Sequence, residues 1–268
     1  MKKFLKVFKI PKPIIGMVHI EPLPGTPNYK GRVKDIIDKA CTEAKLYLNA
    51  GVDAIGIENM HDVPYLNKTA GPEISSLMSI IGYELKSRIK LPVGIQILAG
   101  ANKQALAAAN SAGLDFIRAE GFVFSHIADE GTIQSDAAEL LRYRKNIGAE
   151  SILIFTDIKK KHSSHNITSD VSIEETAEAA EFFQSDGVII TGTSTGKEAN
   201  INEIKSVKKT VKIPVIIGSG VNEKNADKYL PSCDAMIVGS FFKKNGNWKN
   251  TVDRSRVISF MKKVNKLR

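Results

Sequence analysis

The chain has 268 residues, 43% of them apolar, and this length suits one large α/β barrel or two small domains with a sizeable buried core. Its two cysteines, Cys41 and Cys233, exclude a disulfide framework and a zinc knuckle and indicate a reducing compartment. The net charge of +9 comes from the two ends of the chain, without a basic stripe interleaved with aromatic residues, so no nucleic-acid partner is expected.

The N-terminal segment, residues 1–12, carries five lysines and no acid. It is predicted to be a basic extension that precedes a folded domain over residues 13–268. Because the segment uses Lys rather than Arg and Ser, we expect a cytoplasmic protein, with organelle targeting by this segment as the alternative. No stretch approaches the roughly 20 apolar residues of a membrane-spanning helix, so an integral membrane protein is not expected.

Short runs rich in β-branched and apolar residues recur along the rest of the chain. Most are apolar on both faces rather than alternating, which is typical of parallel strands covered by helices. Eight such strands are predicted, at residues 13–20, 53–59, 91–99, 114–120, 150–158, 186–192, 213–220 and 234–240.

Segments with helical periodicity separate most of these strands. The helix over residues 34–50 has its apolar residues on one face and Gly51 at its end, where a glycine cap is favoured. Ser172 with Glu175 predicts a capping box, and Asn200 with Glu203 predicts a similar cap. Further helices are predicted near residues 73–88, 102–112, 136–146, 173–184, 201–212, 222–230 and 252–265.

Eight strand and helix pairs over about 250 residues predict a single α/β domain, a (β/α)8 TIM barrel. A doubly wound sheet is the alternative, but its early G-x-G-x-x-G turn is absent. Barrels of this size often pair, so we expect a homo-oligomer.

Polar residues at the ends of the predicted strands are the candidates for catalysis, because the loops after the strands meet over one mouth of the barrel. With alternation along the first strand, His19 and Glu21 share a face, and His19 suits acid and base chemistry near neutral pH. Asp157 and Lys159 share a face after the fifth strand and could pair. The predicted catalytic residues are His19, Glu21, Glu58, Arg118, Asp157 and Lys159.

Glycines and hydroxyl residues follow the last three strands, in the segments ITGTSTG, IIGSGVN and IVGSFFKKNG. Glycine lets the backbone approach an anion closely, and phosphate binding after strands 7 and 8 recurs in this fold. Lys243 and Lys244 lie in the last of these loops and add charge or form an exposed pair. The predicted phosphate-binding residues are Gly192, Thr193, Gly218, Ser219, Gly220, Gly239 and Ser240.

No metal site is predicted from ligand spacing. His162 and His165 lack the spacing of a helix-borne pair of metal ligands. A Mg²⁺ ion held by Glu58, Glu120 or Asp157 together with a substrate phosphate is the one cofactor left open. Covalent catalysis is disfavoured, because a Schiff-base enzyme needs a buried lysine in the barrel and only Lys159 comes near this requirement.

Several motifs together resemble the BtpA family. They are IIGMVHIEPLPGTPNY, the E-N-x-x-D-V-P core at residues 58–64, DIKKKH at 157–162, and VIIGSGVN with AMIVGSFFK. The resemblance covers residues 14–245 and implies a TIM barrel grouped with the ribulose-phosphate-binding barrels. The family is named for a cyanobacterial member needed for photosystem I biogenesis.

Two classes of function follow from these patterns. The first is an enzyme that acts on a small phosphorylated metabolite, a sugar phosphate or a nucleotide-like compound, by acid and base chemistry in an isomerase, lyase or aldol-type step. The second, implied by the resemblance, is a non-catalytic assembly or stabilisation factor that uses its surface. A phosphate-dependent regulator without turnover is a third, weaker interpretation.

Overall fold

The computed structural model describes all 268 residues and confirms the predicted (β/α)8 barrel. Its eight parallel strands close in the order β1, β11, β10, β9, β7, β4, β3, β2, with strands numbered along the whole chain. They are β1 (Ile14–His19), β2 (Ala54–Glu58), β3 (Val93–Gln96), β4 (Phe116–Ala119), β7 (Leu153–Ile158), β9 (Gly187–Ile190), β10 (Val215–Ile217) and β11 (Ala235–Val238). Each lies within one of the eight predicted runs.

Nine helices accompany the barrel: α1 (Lys2–Phe8), α2 (Val33–Ala50), α3 (Pro72–Arg88), α4 (Asn102–Ala112), α5 (Ala137–Asn146), α6 (Ile173–Phe182), α7 (Ile201–Thr210), α8 (Ala226–Tyr229) and α9 (Arg254–Asn265). Ser172 and Glu175 form the predicted capping box at the start of α6. Asn200 caps α7 by accepting from the Asn202 amide, without a return bond from Glu203. None of these helices is both long enough and apolar enough to cross a bilayer.

A small antiparallel sheet lies over the carboxyl ends of β4 and β7. Its strands are β5 (His126–Ala128), β6 (Gly131–Ile133) and β8 (Ser163–Ser164), and β5 is the central one. These strands of two or three residues are too short for a periodicity to predict them. The sheet joins the loop after β4 to the loop after β7 at the mouth of the barrel.

The opposite end of the barrel is closed by α1. Phe4 and Phe8 are buried in one cluster with the inward-facing side chains of the strands. The Phe8 ring lies 5.7 Å from the ring of Phe116, and the Phe4 ring lies 6.0 Å from that of Phe155. The basic N-terminal segment therefore contributes two aromatic side chains to the barrel core.

Candidate active site

The inward-facing side chains change from apolar to polar at the carboxyl ends of the strands. Along β1, Ile15 and Met17 belong to the inner core, and His19 follows them on the same face. Strands alternate their side chains between two faces, so each strand brings its last inward residue to the mouth. In the first five barrel strands, β1, β2, β3, β4 and β7, those last residues are His19, Glu58, Gln96, Arg118 and Asp157, all of them buried.

Arg118 and Asp157 form a buried ion pair between neighbouring strands β4 and β7. Nε of Arg118 donates to Oδ1 of Asp157 at 3.0 Å, and a terminal nitrogen donates to Oδ2 at 2.8 Å. Burial alone lowers the pKa of Arg118, but the Asp157 carboxylate outweighs it and the pKa is raised. The bidentate pair fixes the guanidinium plane at the barrel mouth.

His19 is held in one tautomer by the backbone. Its Nδ1 lies 2.9 Å from the carbonyl oxygen of Trp248, and since a carbonyl only accepts, Nδ1 carries the hydrogen. Burial, and then the charge of Lys243, lowers the pKa of His19 well below its usual value. The ring is therefore neutral near pH 7, and its free Nε2 is the nitrogen nearest to Gly239.

The loops after β10 and β11 present backbone amides that have no acceptor within the protein. They include the N–H groups of Ser219, Gly220, Val221 and Gly239. Gly220 has a φ of +68°, and a side chain there would overlap the carbonyl of Lys197, so the turn requires glycine. Unpaired N–H groups on adjacent loops form a concavity suited to an anion.

Arg256, near the start of α9, faces the same loops. Its Nε donates to the carbonyl of Phe241 at 2.6 Å, and its guanidinium stacks 4.5 Å from the Phe241 ring. These contacts fix the group and leave its other N–H groups for an anion. The sequence patterns did not identify Arg256, which lies in the basic C-terminal segment. The sequence signal that could have identified Arg256 is an Arg in the first turn of the helix that follows the last predicted phosphate loop.

A cavity of about 210 Å³ joins these groups at the mouth of the barrel. A groove of about 1200 Å³ also lies at the opposite end, between α1 and the loops that precede the strands. That groove contains none of the predicted site residues, and barrel chemistry occurs at the carboxyl ends of the strands, so the smaller cavity is the candidate site. The predicted residues that line it are His19, Glu58, Arg118, Gly218, Ser219, Gly220, Gly239 and Ser240.

Glu21 lies outside the cavity and pairs with Lys39 on α2. Because β1 ends at His19, the alternation that would place Glu21 beside His19 stops before it. The two residues therefore do not share a pocket.

Lys159 also lies outside this cavity and does not pair with Asp157. Its φ of +48° turns the chain after β7, and its Nζ donates to the carbonyl of Thr168 at 3.0 Å. Both carboxylate oxygens of Asp157 are occupied by Arg118.

Gly192 and Thr193 are separated from the cavity by the loop that follows them. The amide of Gly192 donates to the hydroxyl of Ser219 at 2.8 Å, and the carbonyl of Thr193 accepts from the amide of His162. Thr195 and Gly196 line the cavity in their place. His162 holds this loop, since its Nε2 lies 3.0 Å from the Thr195 hydroxyl oxygen.

Lys161 is a further residue that the patterns missed. It follows β7, lines the cavity with Glu58 and Arg118, and lies in the DIKKKH motif, where Lys159 was the lysine predicted to act. Of the two lysines considered in the loop after β11, Lys243 is buried and Lys244 is exposed. Neither lines the cavity.

No group of three or more His, Cys, Asp and Glu side chains has the arrangement of a metal site. Glu120, one of the three acids considered for Mg²⁺, accepts from Gln96 at 3.0 Å and lies 3.5 Å from Nζ of Lys160. Burial raises its pKa, and Lys160 acts in the opposite direction. Binding of Mg²⁺ stays a prediction.

Two solved structures with the same fold are named for phosphorylated compounds. One is the (S)-3-O-geranylgeranylglyceryl phosphate synthase of Thermoplasma acidophilum in complex with its substrate sn-glycerol-1-phosphate, with a TM-score of 0.63 and 15% identity over 99% of this chain and 98% of that one. Another is thiamine phosphate pyrophosphorylase of Pyrococcus furiosus, with a TM-score of 0.57 and 15% identity over 96% of each chain. At 15% sequence identity, this structural similarity shows that the chain shares the barrel fold.

Sequence relatives cover nearly the whole chain. A protein of Caenorhabditis elegans, named as uncharacterized and mitochondrial, is 50% identical over 98% of this chain and 97% of its own length. The photosystem I biogenesis protein BtpA of Synechocystis is 32% identical over 96% of this chain and 89% of its own. The model of the BtpA family matches residues 10–266, and the chain belongs to this family.

Proposed function

We propose that the protein is an enzyme that acts on a small phosphorylated metabolite, a sugar phosphate or a nucleotide-like compound, by acid and base chemistry. The observation that carries this proposal is the set of backbone amides without acceptors, among them those of Ser219, Gly220, Val221 and Gly239. They lie in the two loops that bind phosphate most often in this fold. Arg256 adds a fixed positive charge beside them.

The comparisons support the same proposal. The synthase from Thermoplasma acidophilum contains a substrate that ends in a phosphate, and its barrel aligns with this chain along its whole length. Thiamine phosphate pyrophosphorylase and the phosphoribosyl anthranilate isomerase of Thermus thermophilus, with a TM-score of 0.58, are named for phosphorylated compounds. A phosphate held by the loops after β10 and β11 would place the rest of such a molecule against His19 and Glu58.

The other end of the cavity is suited to moving protons. His19 is neutral near pH 7 and presents Nε2, so it can take a proton from carbon or from a hydroxyl group. The Glu58 carboxylate lines the cavity and makes no hydrogen bond within the protein. Arg118, held by Asp157, supplies a positive charge for a developing oxyanion. These roles are those of an isomerase, a lyase or an aldol-type enzyme.

Thermal unfolding tests phosphate binding directly. The panel is inorganic phosphate, sn-glycerol-1-phosphate, ribose phosphate and AMP, each with and without Mg²⁺, with glycerol and ribose as controls. A ligand at 100 times its Kd adds about 2.7 kcal/mol to the free energy of unfolding. We expect a rise in Tm with at least one phosphorylated compound and none with its unphosphorylated counterpart.

Two variants on the same helix turn localise the effect. Arg256→Gln removes the charge at the cavity, whereas Arg254→Gln removes an exposed charge two residues away. The Tm rise should be lost in the first and kept in the second. Turnover of the compound that binds should then fall in His19→Gln. A panel without any Tm rise, or turnover unaffected by His19→Gln, would contradict the proposal.

The alternative function is assembly or stabilisation of a protein complex, which the name of the Synechocystis relative supports. A surface function predicts that exposed residues carry the activity and that His19→Gln has no effect. Because Phe4 and Phe8 are buried, deletion of residues 1–12 would damage the fold itself. The basic surface is therefore tested by changing Lys3, Lys6 and Lys9 to Gln.

A further inference from the structure

The three consecutive lysines after β7 have different partners. Nζ of Lys159 donates to the carbonyl of Thr168, and Nζ of Lys160 lies 3.5 Å from Glu120 and 3.4 Å from Glu130. Nζ of Lys161 has no hydrogen-bond acceptor within 3.5 Å and no carboxylate within 4.0 Å. Lys161 is also the one lysine that lines the candidate active site.

The surroundings of Lys161 favour an uncharged amine. Its side chain is partly buried at the cavity wall, and burial, followed by the positive charge of Arg118, lowers its pKa. Glu58 acts in the opposite direction but forms no ion pair with it. Arg118 cannot move away, because Asp157 holds it with two hydrogen bonds. A lysine that is desolvated beside a fixed cation is activated as a nucleophile.

We propose that Lys161 forms an imine with the carbonyl carbon of a small phosphorylated aldehyde or ketone. This inference rests on the proposed function, because the phosphate loops are what would place the carbonyl group beside Nζ. It narrows the substrate class from phosphorylated metabolites in general to those with a free carbonyl group.

The step balances with groups that face the cavity. The lone pair of Nζ forms a bond to the carbonyl carbon, the C=O π electrons move to oxygen, and Glu58 takes the proton that Nζ loses. Glu58 then returns this proton to the alkoxide oxygen, which gives the carbinolamine. Glu58 next takes the second proton of Nζ and passes it to the carbinolamine hydroxyl, which leaves as water while the C=N bond forms. The net change is amine plus carbonyl to imine plus water, with no oxidant or reductant required.

Borohydride trapping tests the imine. The full-length protein is incubated with dihydroxyacetone phosphate or glyceraldehyde phosphate and sodium borohydride, whose hydride reduces an imine to a stable secondary amine. Intact mass and peptide mapping then locate the product. We expect a mass increase equal to the probe less one oxygen atom, on the peptide that contains Lys161. Glycerol phosphate, which has the same skeleton without the carbonyl, should give no product.

Matched variants separate chemistry from charge. Lys161→Arg keeps the positive charge but has no nucleophilic amine, so the adduct should be lost, whereas Lys159→Arg should keep it. The Tm values of both variants show whether they fold. Peptide mapping of the protein without substitutions locates the adduct independently of either variant. The inference is overturned if no adduct forms, or if adducts spread over surface lysines and persist in Lys161→Arg.

Failure of this inference is distinguishable from failure of the proposed function. If dihydroxyacetone phosphate and glycerol phosphate raise Tm equally and no adduct forms, phosphate binding stands and Lys161 is overturned as a nucleophile. If no phosphorylated compound raises Tm and none forms an adduct, both are overturned.

Discussion

Nζ of Lys243, in the loop after β11, donates to Oε2 of Glu43 on α2 at 2.8 Å, and both side chains are buried. The other oxygen of Glu43 accepts from the amide of Val252 at 3.0 Å. One carboxylate therefore ties down both ends of the segment 243–252. That segment contains Trp248, whose carbonyl accepts from His19, so the ion pair fixes a loop that orients the candidate catalytic histidine.

The first prediction concerns this pair. Lys243→Met leaves the Glu43 carboxylate buried without its cation, which costs about 3–5 kcal/mol when one partner of a buried pair is removed. Urea unfolding measures the loss. Lys244→Met, at the exposed neighbouring position, should change the free energy of unfolding by no more than about 0.5 kcal/mol. Equal effects at the two positions would contradict a structural role for Lys243.

The same loop shows what local sequence patterns can and cannot predict. The barrel was predictable because runs apolar on both faces alternate with amphipathic segments, and local periodicity carries that information. His19, Glu58 and Arg118 were predictable because strand ends are visible in the sequence. Burial of Lys243 depends on Glu43, which is 200 residues away, and no local pattern contains such a contact.

The remaining site residues were missed for related reasons. Glu21 was misplaced because the alternation was extended beyond the end of β1 at His19, and alternation holds only within a strand. In the run of three lysines, a positive φ at Lys159 and at His162 redirects the chain. That redirection, rather than the residue types, decides that Lys161 reaches the cavity.

The second prediction tests the closed end of the barrel. Phe8→Ala removes a ring packed against Phe116 and Phe155, and truncation of a buried Phe costs about 3–5 kcal/mol. Leu5→Ala, on the same helix at a position 46% exposed, should cost less than about 1 kcal/mol. Denaturant unfolding compares the two. A Phe8→Ala variant as stable as Leu5→Ala would show that α1 is not part of the core.

The third prediction concerns the pair at the barrel mouth. Asp157→Leu leaves the Arg118 guanidinium buried and unpaired, and Arg118→Met leaves the carboxylate, so each single variant should lose about 3–5 kcal/mol. The double variant removes both charges and should lose less than the sum of the single losses. A double-mutant cycle from urea unfolding measures this coupling. Strict additivity would mean that the two side chains do not stabilise each other.

The fourth prediction is a dependence of stability on pH that His126 controls. Its ring is buried in β5, its Nε2 has no hydrogen-bond partner, and the ring of His165 lies 5.3 Å away. Burial, followed by the charge of His165, lowers the pKa of His126 from 6.5 to about 4. The unfolded chain therefore binds a proton near pH 6.5 that the folded chain binds only near pH 4.

Since the unfolded state holds more protons in this window, the free energy of unfolding falls as the pH decreases from 6.5 towards 4. His126→Gln removes this contribution. The free energy of unfolding of the protein with His126, minus that of the variant, should be largest above about pH 7 and smaller at about pH 5. Urea unfolding at both pH values measures this difference. The four other histidines also have lowered pKa values and titrate in both proteins, so the narrowing isolates His126. A difference of equal size at both pH values would show that His126 does not resist protonation in the fold.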